Sequence, residues 1–350
     1  MITIHCGLPK TGTTSIQTGL RLASDTSKRT IIVPTEHDKY SEGWWMQCLT
    51  RMARTRDGIL SHELLLFENS GGELISRKRV EMLQHCLAGS PFQIIVYLRP
   101  QIDWLASVYL HYVAAGSLEG PEAFWERMAP QSSLVWSDLL RLLREESGAV
   151  KVVTRAFSPS RDLVQDFFNL CDLGNPPRVG RGPIRENVSI KAVQAPIMLA
   201  INRQTSRQLA EQIKLRQVFQ QVLSREAPGG FSPFPESIQR EISAKYMEDW
   251  TIVSDSLKIQ GDAEAKAFMS ESVRWSAIPI PFAGKFQVDA PVEHEAIRTI
   301  GQLALMLDMG NPTRIARIRA KFVNDPRGIF SSLQRSARRW KATRYTKLDP

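Results

Sequence analysis

Two rhythms of apolar and polar residues run through the first half of the chain. Brief apolar or β-branched runs at residues 3–7, 30–34, 58–61, 93–98 and 150–154 are each bounded by breakers, the pattern of short buried strands. Between them, apolar positions recur every three to four residues over 14–23, 77–88, 104–115, 134–146 and 162–173, the spacing of helices with one packed face. Alternation of strand and helix predicts a parallel sheet covered by helices.

Beyond Cys171 the texture changes. Residues 174–183 (GNPPRVGRGP) read as a Gly/Pro/Arg loop, and only helical patterns follow, at 189–202, 206–224, 235–257 and 293–309. Proline-rich stretches at 227–235 and 277–282 separate them. In chain order this predicts an α/β core over 1–175, a helical portion over 176–313 and a tail over 314–350. No internal repeat is visible.

The stretch that carries chemistry lies where the first strand turns into the first helix: Gly7-Leu8-Pro9-Lys10-Thr11-Gly12-Thr13-Thr14-Ser15-Ile16-Gln17. Backbone N–H groups of a Gly-rich turn converge on an anion, the following helix adds the positive end of its dipole, and Lys10 adds a full charge. The expected fold is thus α/β, a P-loop-like parallel sheet flanked by helices with a largely helical C-terminal portion. A Walker A loop would carry Lys directly after its second Gly. Here Gly7 and Gly12 keep that separation, Thr13 follows Gly12, and the lysine lies inside the loop.

Pro9-Lys10-Thr11-Gly12-Thr13-Thr14 strongly resembles the 5′-phosphosulfate loop of sulfotransferases that use 3′-phosphoadenosine 5′-phosphosulfate (PAPS). A second segment strengthens the resemblance. In that family an arginine at the end of a later strand and a serine eight residues on, at the start of the next helix, hold the 3′-phosphate. Arg99 follows the apolar run Val96-Tyr97-Leu98, and Ser107 lies eight residues later. The leading G-x-x-K-T-G-T-T-S-I-Q is similar to bacterial members linked to sulfation of polysaccharides or glycolipids. That likeness reaches through residues 152–168 and the Asn187-Val188-Ser189 turn, covering most of residues 1–200. The R-K-G loop of the animal cytosolic enzymes has no clear copy, and Arg181-Gly182 and Arg185 stand as possible substitutes for it.

The resemblance implies PAPS as sulfuryl donor, no metal, and a hydroxyl or amine of a carbohydrate or glycolipid as acceptor. The implied cofactor residues are Lys10, Thr11, Gly12, Thr13, Thr14, Ser15, Arg99, Ser107 and Arg185. By analogy with phosphoryl transfer, Lys10 would offset charge on the leaving phosphate and the backbone donors of Thr11 to Ser15 would hold its oxygens. An acceptor hydroxyl ionises far above neutrality, so a base must lie within reach of it. The family uses a glutamate or a histidine near a strand end, and Ile59-Leu60-Ser61-His62-Glu63 supplies both. Glu63 is the favoured base and His62 the runner-up. Trp44 and Trp45 could stack on a sugar, although adjacent tryptophans are more often divided between core and surface.

Charge alters the choice of partner. The chain carries 45 basic and 36 acidic residues, a net +9, which by itself suggests a polyanion. From Arg314 to Pro350 there are eleven basic residues against Asp325 and Asp349, so the excess is confined to the tail and the remainder is neutral overall. Nucleic acid is not the expected partner. The tail's Arg335-Ser336-Ala337-Arg338-Arg339-Trp340-Lys341 could touch an anionic membrane peripherally. The apolar runs are far short of the roughly 18 residues of a membrane span, and without a basic, apolar leader the expected location is cytoplasmic. Cys6, Cys48, Cys86 and Cys171 lack metal-ligand or disulfide spacing. Two other readings compete: a P-loop kinase or hydrolase, and a non-catalytic protein that binds nucleic acid or membrane through the tail.

Overall fold

A sheet of five parallel strands in the order β2-β3-β1-β4-β5 organises the protein. The strands are β1 Ile2–Cys6, β2 Ile31–Ile32, β3 Gly58–His62, β4 Phe92–Leu98 and β5 Lys151–Ala156. Every residue of β1, β3 and β4 is buried, as befits inner strands of a parallel sheet covered on both faces. The computed structural model describes residues 1–35, 42–63, 65–66, 76–131, 134–158, 161–177 and 232–270, with single positions between 190 and 202.

Helices cover both faces of the sheet. On one, α1 (Thr13–Ala23) and α7 (Leu163–Leu170) pack Ile16, Leu20, Phe167 and Phe168 onto Ile59, Ile95, Tyr97 and Val153. The second face takes α2 (Glu42–Thr55), α3 (Arg77–Cys86), α6 (Trp136–Glu146) and α8 (Glu236–Ile259), joined through α2–α3, α3–α6, α6–α8 and α8–β5 contacts. Two more helices, α4 (Gln101–Ala114) and α5 (Pro121–Met128), lie between β4 and α6. Right-handed crossovers account for the division. The connection after β1 runs towards β2, whereas those after β2, β3 and β4 run the opposite way across the sheet.

All five expected strands are present within two residues of their expected bounds. α2 and α5 are additional to the expectation, and α4 begins at Gln101, three residues before its expected start, because Pro100 fits the non-donating position at a helix start. α8 falls within the stretch expected as a helical portion over 176–313, and it belongs to one compact unit with the sheet, formed by Met1–Val108, Trp125–Val188 and Glu236–Pro279.

The second unit takes Tyr109–Phe124, Ser189–Pro235 and Ile280–Pro350. Among its described residues, Tyr109, Phe124 and Phe234 form an aromatic cluster with ring centroids 5.2–6.1 Å apart. Ala195, Met198, Leu199 and Asn202 are helical and buried at helical spacing. Arg181, Arg185, the Asn187–Ser189 turn, the expected helices at 206–224 and 293–309 and the basic tail lie outside the described residues. Among the described residues no helix is long and apolar enough to cross a membrane.

Candidate functional site

β3, β1 and β4 are neighbours with parallel registers, Cys6 beside His62 and His5 beside Ile95. Three stretches singled out in the sequence therefore leave the sheet at the same edge: the 7–12 turn after β1, Glu63 after β3 and Arg99 after β4. β3 and β4 flank β1 and so run about 10 Å apart.

The 7–12 turn is fastened by its own backbone. Gly7 donates its N–H to the His62 carbonyl at 3.0 Å, continuing the strand pairing for one residue. The Leu8 carbonyl then gathers the Thr11 N–H at 3.3 Å, the Thr11 hydroxyl at 2.7 Å and the Thr13 hydroxyl at 3.4 Å. Lys10 and Gly12 both take the left-handed conformation, with φ of 66° and 78°. Glycine is required at both ends of the turn. A Cβ on Gly7 would lie 2.2 Å from the Thr13 Oγ1, and one on Gly12 would lie 2.2 Å from the Leu163 Cδ2. The Gly12 carbonyl accepts from Ser15 and Ile16 and starts α1, whose first turn holds no acid and whose N-cap, Gly12, has no side chain to cap it with. Its positive dipole end is thus not offset by its own turn.

Lys10 is half-buried. Burial pulls its ammonium below the ordinary lysine range, and the negative charge of Glu63 opposes that shift. Glu63 itself is half-buried in the turn after β3. His62 is completely buried, with the Trp45 ring edge-on at 4.0 Å between centroids. Trp45 lies in the core and Trp44 is partly exposed, so the pair divides between core and surface.

Arg99 emerges from β4 with its guanidinium over the Phe157 ring, 5.4 Å from the centroid. Its carbonyl accepts the Trp136 indole N–H at 2.7 Å. Among the described residues no carboxylate pairs with its side chain. Ser107, expected at a helix start, is the seventh residue of α4 and lies in its second turn, half-buried. The earlier start of α4 is the reason.

Beneath the edge Tyr97 and His5 bond to core neighbours, although the His5 Nε2 finds no partner among the described residues. Tyr97 donates its hydroxyl to Asp166 at 2.8 Å, and burial together with that carboxylate pushes the phenol well above its usual range. His5 shares a 2.8 Å hydrogen bond between Nδ1 and the Ser61 hydroxyl and packs on Tyr97 and Phe167. Burial pulls its pKa down to about 3, so it is neutral at physiological pH. Trp104, Trp136, Phe157 and Asp249 escaped the sequence reading, because a tryptophan or aspartate on a helix looks the same whether it serves the core or the site. Trp104 and Trp136 carried a signal, as large aromatics at or near the start of an expected helix.

No family model matches the chain. Neither the curated proteins nor the solved structures contain a match to it.

Proposed function

We propose that the protein is a PAPS-dependent sulfotransferase that moves a sulfuryl group to a hydroxyl or amine of a carbohydrate or glycolipid. The observation that carries the reading is the joint placement, at the ends of adjacent parallel strands, of a lysine-bearing Gly-rich turn and an arginine that no carboxylate pairs with among the described residues. The connection after β1 departs to one face and that after β4 to the other, and ligands of open α/β sheets bind in the crevice such a divergence leaves. The 7–15 segment is read as a P-loop-like cradle. Gly7 and Gly12 keep it free of Cβ atoms, so its backbone can approach a phosphate closely.

PAPS supplies a sulfuryl group on a phosphate leaving group. Lys10 would offset the charge that builds on that phosphate, and backbone donors from Thr11 to Ser15, with the start of α1, would hold its oxygens. Arg99 takes the 3′-phosphate, and Ser107 assists from α4. Glu63 would accept the acceptor's proton as the new O–S or N–S bond forms and the bond from sulfur to the leaving phosphate's bridging oxygen breaks. His62 is the weaker choice for that role, since it is enclosed by Trp45 and lies under the turn.

Calorimetric titration with 3′-phosphoadenosine 5′-phosphate tests the reading. Micromolar binding by the wild type is expected to be lost in Arg99→Ala and weakened in Lys10→Ala. A folded wild-type protein that does not bind overturns it, and Mg²⁺-dependent ATP turnover would point instead to a nucleotide hydrolase.

A further inference from the structure

Arg99 is held at two points, its backbone carbonyl and its guanidinium. Its carbonyl is fixed by the Trp136 indole at 2.7 Å, and its guanidinium rests on Phe157. Both supports are themselves anchored by residues far along the chain. The N-cap of α6 is Val135, which has no side-chain oxygen to offer the first turn. The Asp249 carboxylate of α8 fills that role from outside, accepting the Trp136 N–H at 2.9 Å and the Ser137 N–H at 2.8 Å. Gln101, at the start of α4, donates to the same carboxylate and accepts from the Trp250 indole. At the end of β5, Ala156 donates to Asp262 at 2.6 Å and Phe157 donates to the Leu98 carbonyl at 2.7 Å. Arg161 pairs with Asp262 as well. A third indole contact reaches the lysine turn: Trp104 donates to the Pro9 carbonyl at 2.7 Å and packs edge-on against Trp136.

A cation so restrained, yet given no carboxylate among the described residues, is preorganised for an anion that comes from outside. We infer that Trp136 and Phe157 are positioning residues that aim Arg99 at the nucleotide's 3′-phosphate, with Asp249 and Asp262 anchoring them, and that Trp104 separately sets the lysine turn. This rests on the proposed nucleotide site. It assigns 3′-phosphate selectivity to a framework built from residues 136–157 and 249–262.

The test compares affinities for 3′-phosphoadenosine 5′-phosphate and adenosine 5′-phosphate, which differ only in the 3′-phosphate. Their ratio reads the contacts to the 3′-phosphate, those of Arg99 and Ser107 together. Trp136→Phe keeps an aromatic ring and loses the indole donor, and should cut the ratio about fivefold, the effect of one net hydrogen bond. Phe157→Leu removes the ring under the guanidinium and should cut it about two- to fivefold. Adenosine 5′-phosphate affinity should stay within about twofold in both, whereas Trp104→Phe should weaken both ligands equally and leave the ratio intact. General loosening of the fold would not reproduce that division. Phe157 is only half-buried, so Phe157→Leu carries the test if Trp136→Phe does not fold. A high wild-type ratio unchanged in the folded variants overturns this inference and leaves the nucleotide site standing. A wild-type ratio near one overturns both.

Discussion

Lys10 gives the sharpest single-residue test, because it separates backbone strain from charge. With φ at 66° it occupies a region that disfavours any residue carrying a Cβ, at a cost of about 1–2 kcal/mol. Lys10→Ala removes the ammonium and keeps the strain. Lys10→Gly removes both, although glycine gives back about 0.5–1 kcal/mol through the greater freedom of its unfolded chain. The difference leaves the glycine variant about 0.5–1 kcal/mol more stable than the alanine variant, the reverse of the order in a helix. For a unit of this size that corresponds to a midpoint about 1–4 °C higher. Thermal and urea unfolding followed by circular dichroism measure it, with equal urea slopes as the condition for comparison. In the presence of 3′-phosphoadenosine 5′-phosphate at 100 times its dissociation constant, the wild type should gain about 2.7 kcal/mol, and both variants should gain less. A glycine variant no more stable than the alanine variant would refute the strain argument. Strain kept where a charge is needed is common at functional sites.

Three further outcomes are expected. His5, neutral in the fold and pulled down to about 3, takes up a proton on unfolding at its ordinary value, so its contribution is complete above about pH 6.5 and is lost as the pH falls towards 3. The wild type should therefore lose about 2 kcal/mol between pH 6.5 and 5 relative to His5→Asn, and parallel denaturation profiles would reject this. Gly12→Ala should destabilise by about 2–4 kcal/mol, since its Cβ meets Leu163 and its φ is positive. Combined with Leu163→Ala it should cost about 1 kcal/mol less than the sum of the single changes, and strict additivity would show that the two do not collide. Asp262 is held below the usual carboxylate range by hydrogen bonds and charge from Arg161 and by backbone donors including Ala156. Asp262→Ala should cost about 2–4 kcal/mol, read by urea unfolding at neutral pH, and the wild-type contribution should disappear as acid protonates the group. An Asp262→Ala protein of unchanged stability would contradict this.

Local pattern disclosed the strands because each is short, apolar and bounded by breakers, and it disclosed α1, α3, α6 and α7 because each has a single packed face. α2 was less visible. Its buried positions Trp45, Leu49 and Met52 do recur at helical spacing, but Gly43 near its start and the exposed Met46 blur the stripe. α5 spans only eight residues, and Pro121 at its first position was the available cue. The turn at 7–15 and Arg99 could be read because their spacing and their strand-to-helix context are properties of neighbouring residues. Strand order could not be read that way, since the pairing of β1 with β4 joins residues about ninety apart. The same holds for the return of α8 onto β5 and α6, and so for Asp249 and Asp262. Their effect on Arg99 passes through hydrogen bonds across more than one hundred residues of chain, a distance at which periodicity carries no information.

The central place of β1 has a consequence for how the chain is made. β1 leaves the ribosome before either of its sheet neighbours, yet it pairs with β3 and β4, which end at residues 62 and 98. A wholly buried strand must therefore wait about sixty residues of synthesis for its first neighbour and nearly one hundred for its second. Such delayed, non-local pairing is slow and leaves sticky intermediates exposed. The wait for Arg99 is longer still, because its supports are complete only when Asp262 has emerged. A nascent chain arrested near residue 200 would hold all five strands and lack the anchors of its selectivity, so synthesis itself sets the order in which sheet and site mature.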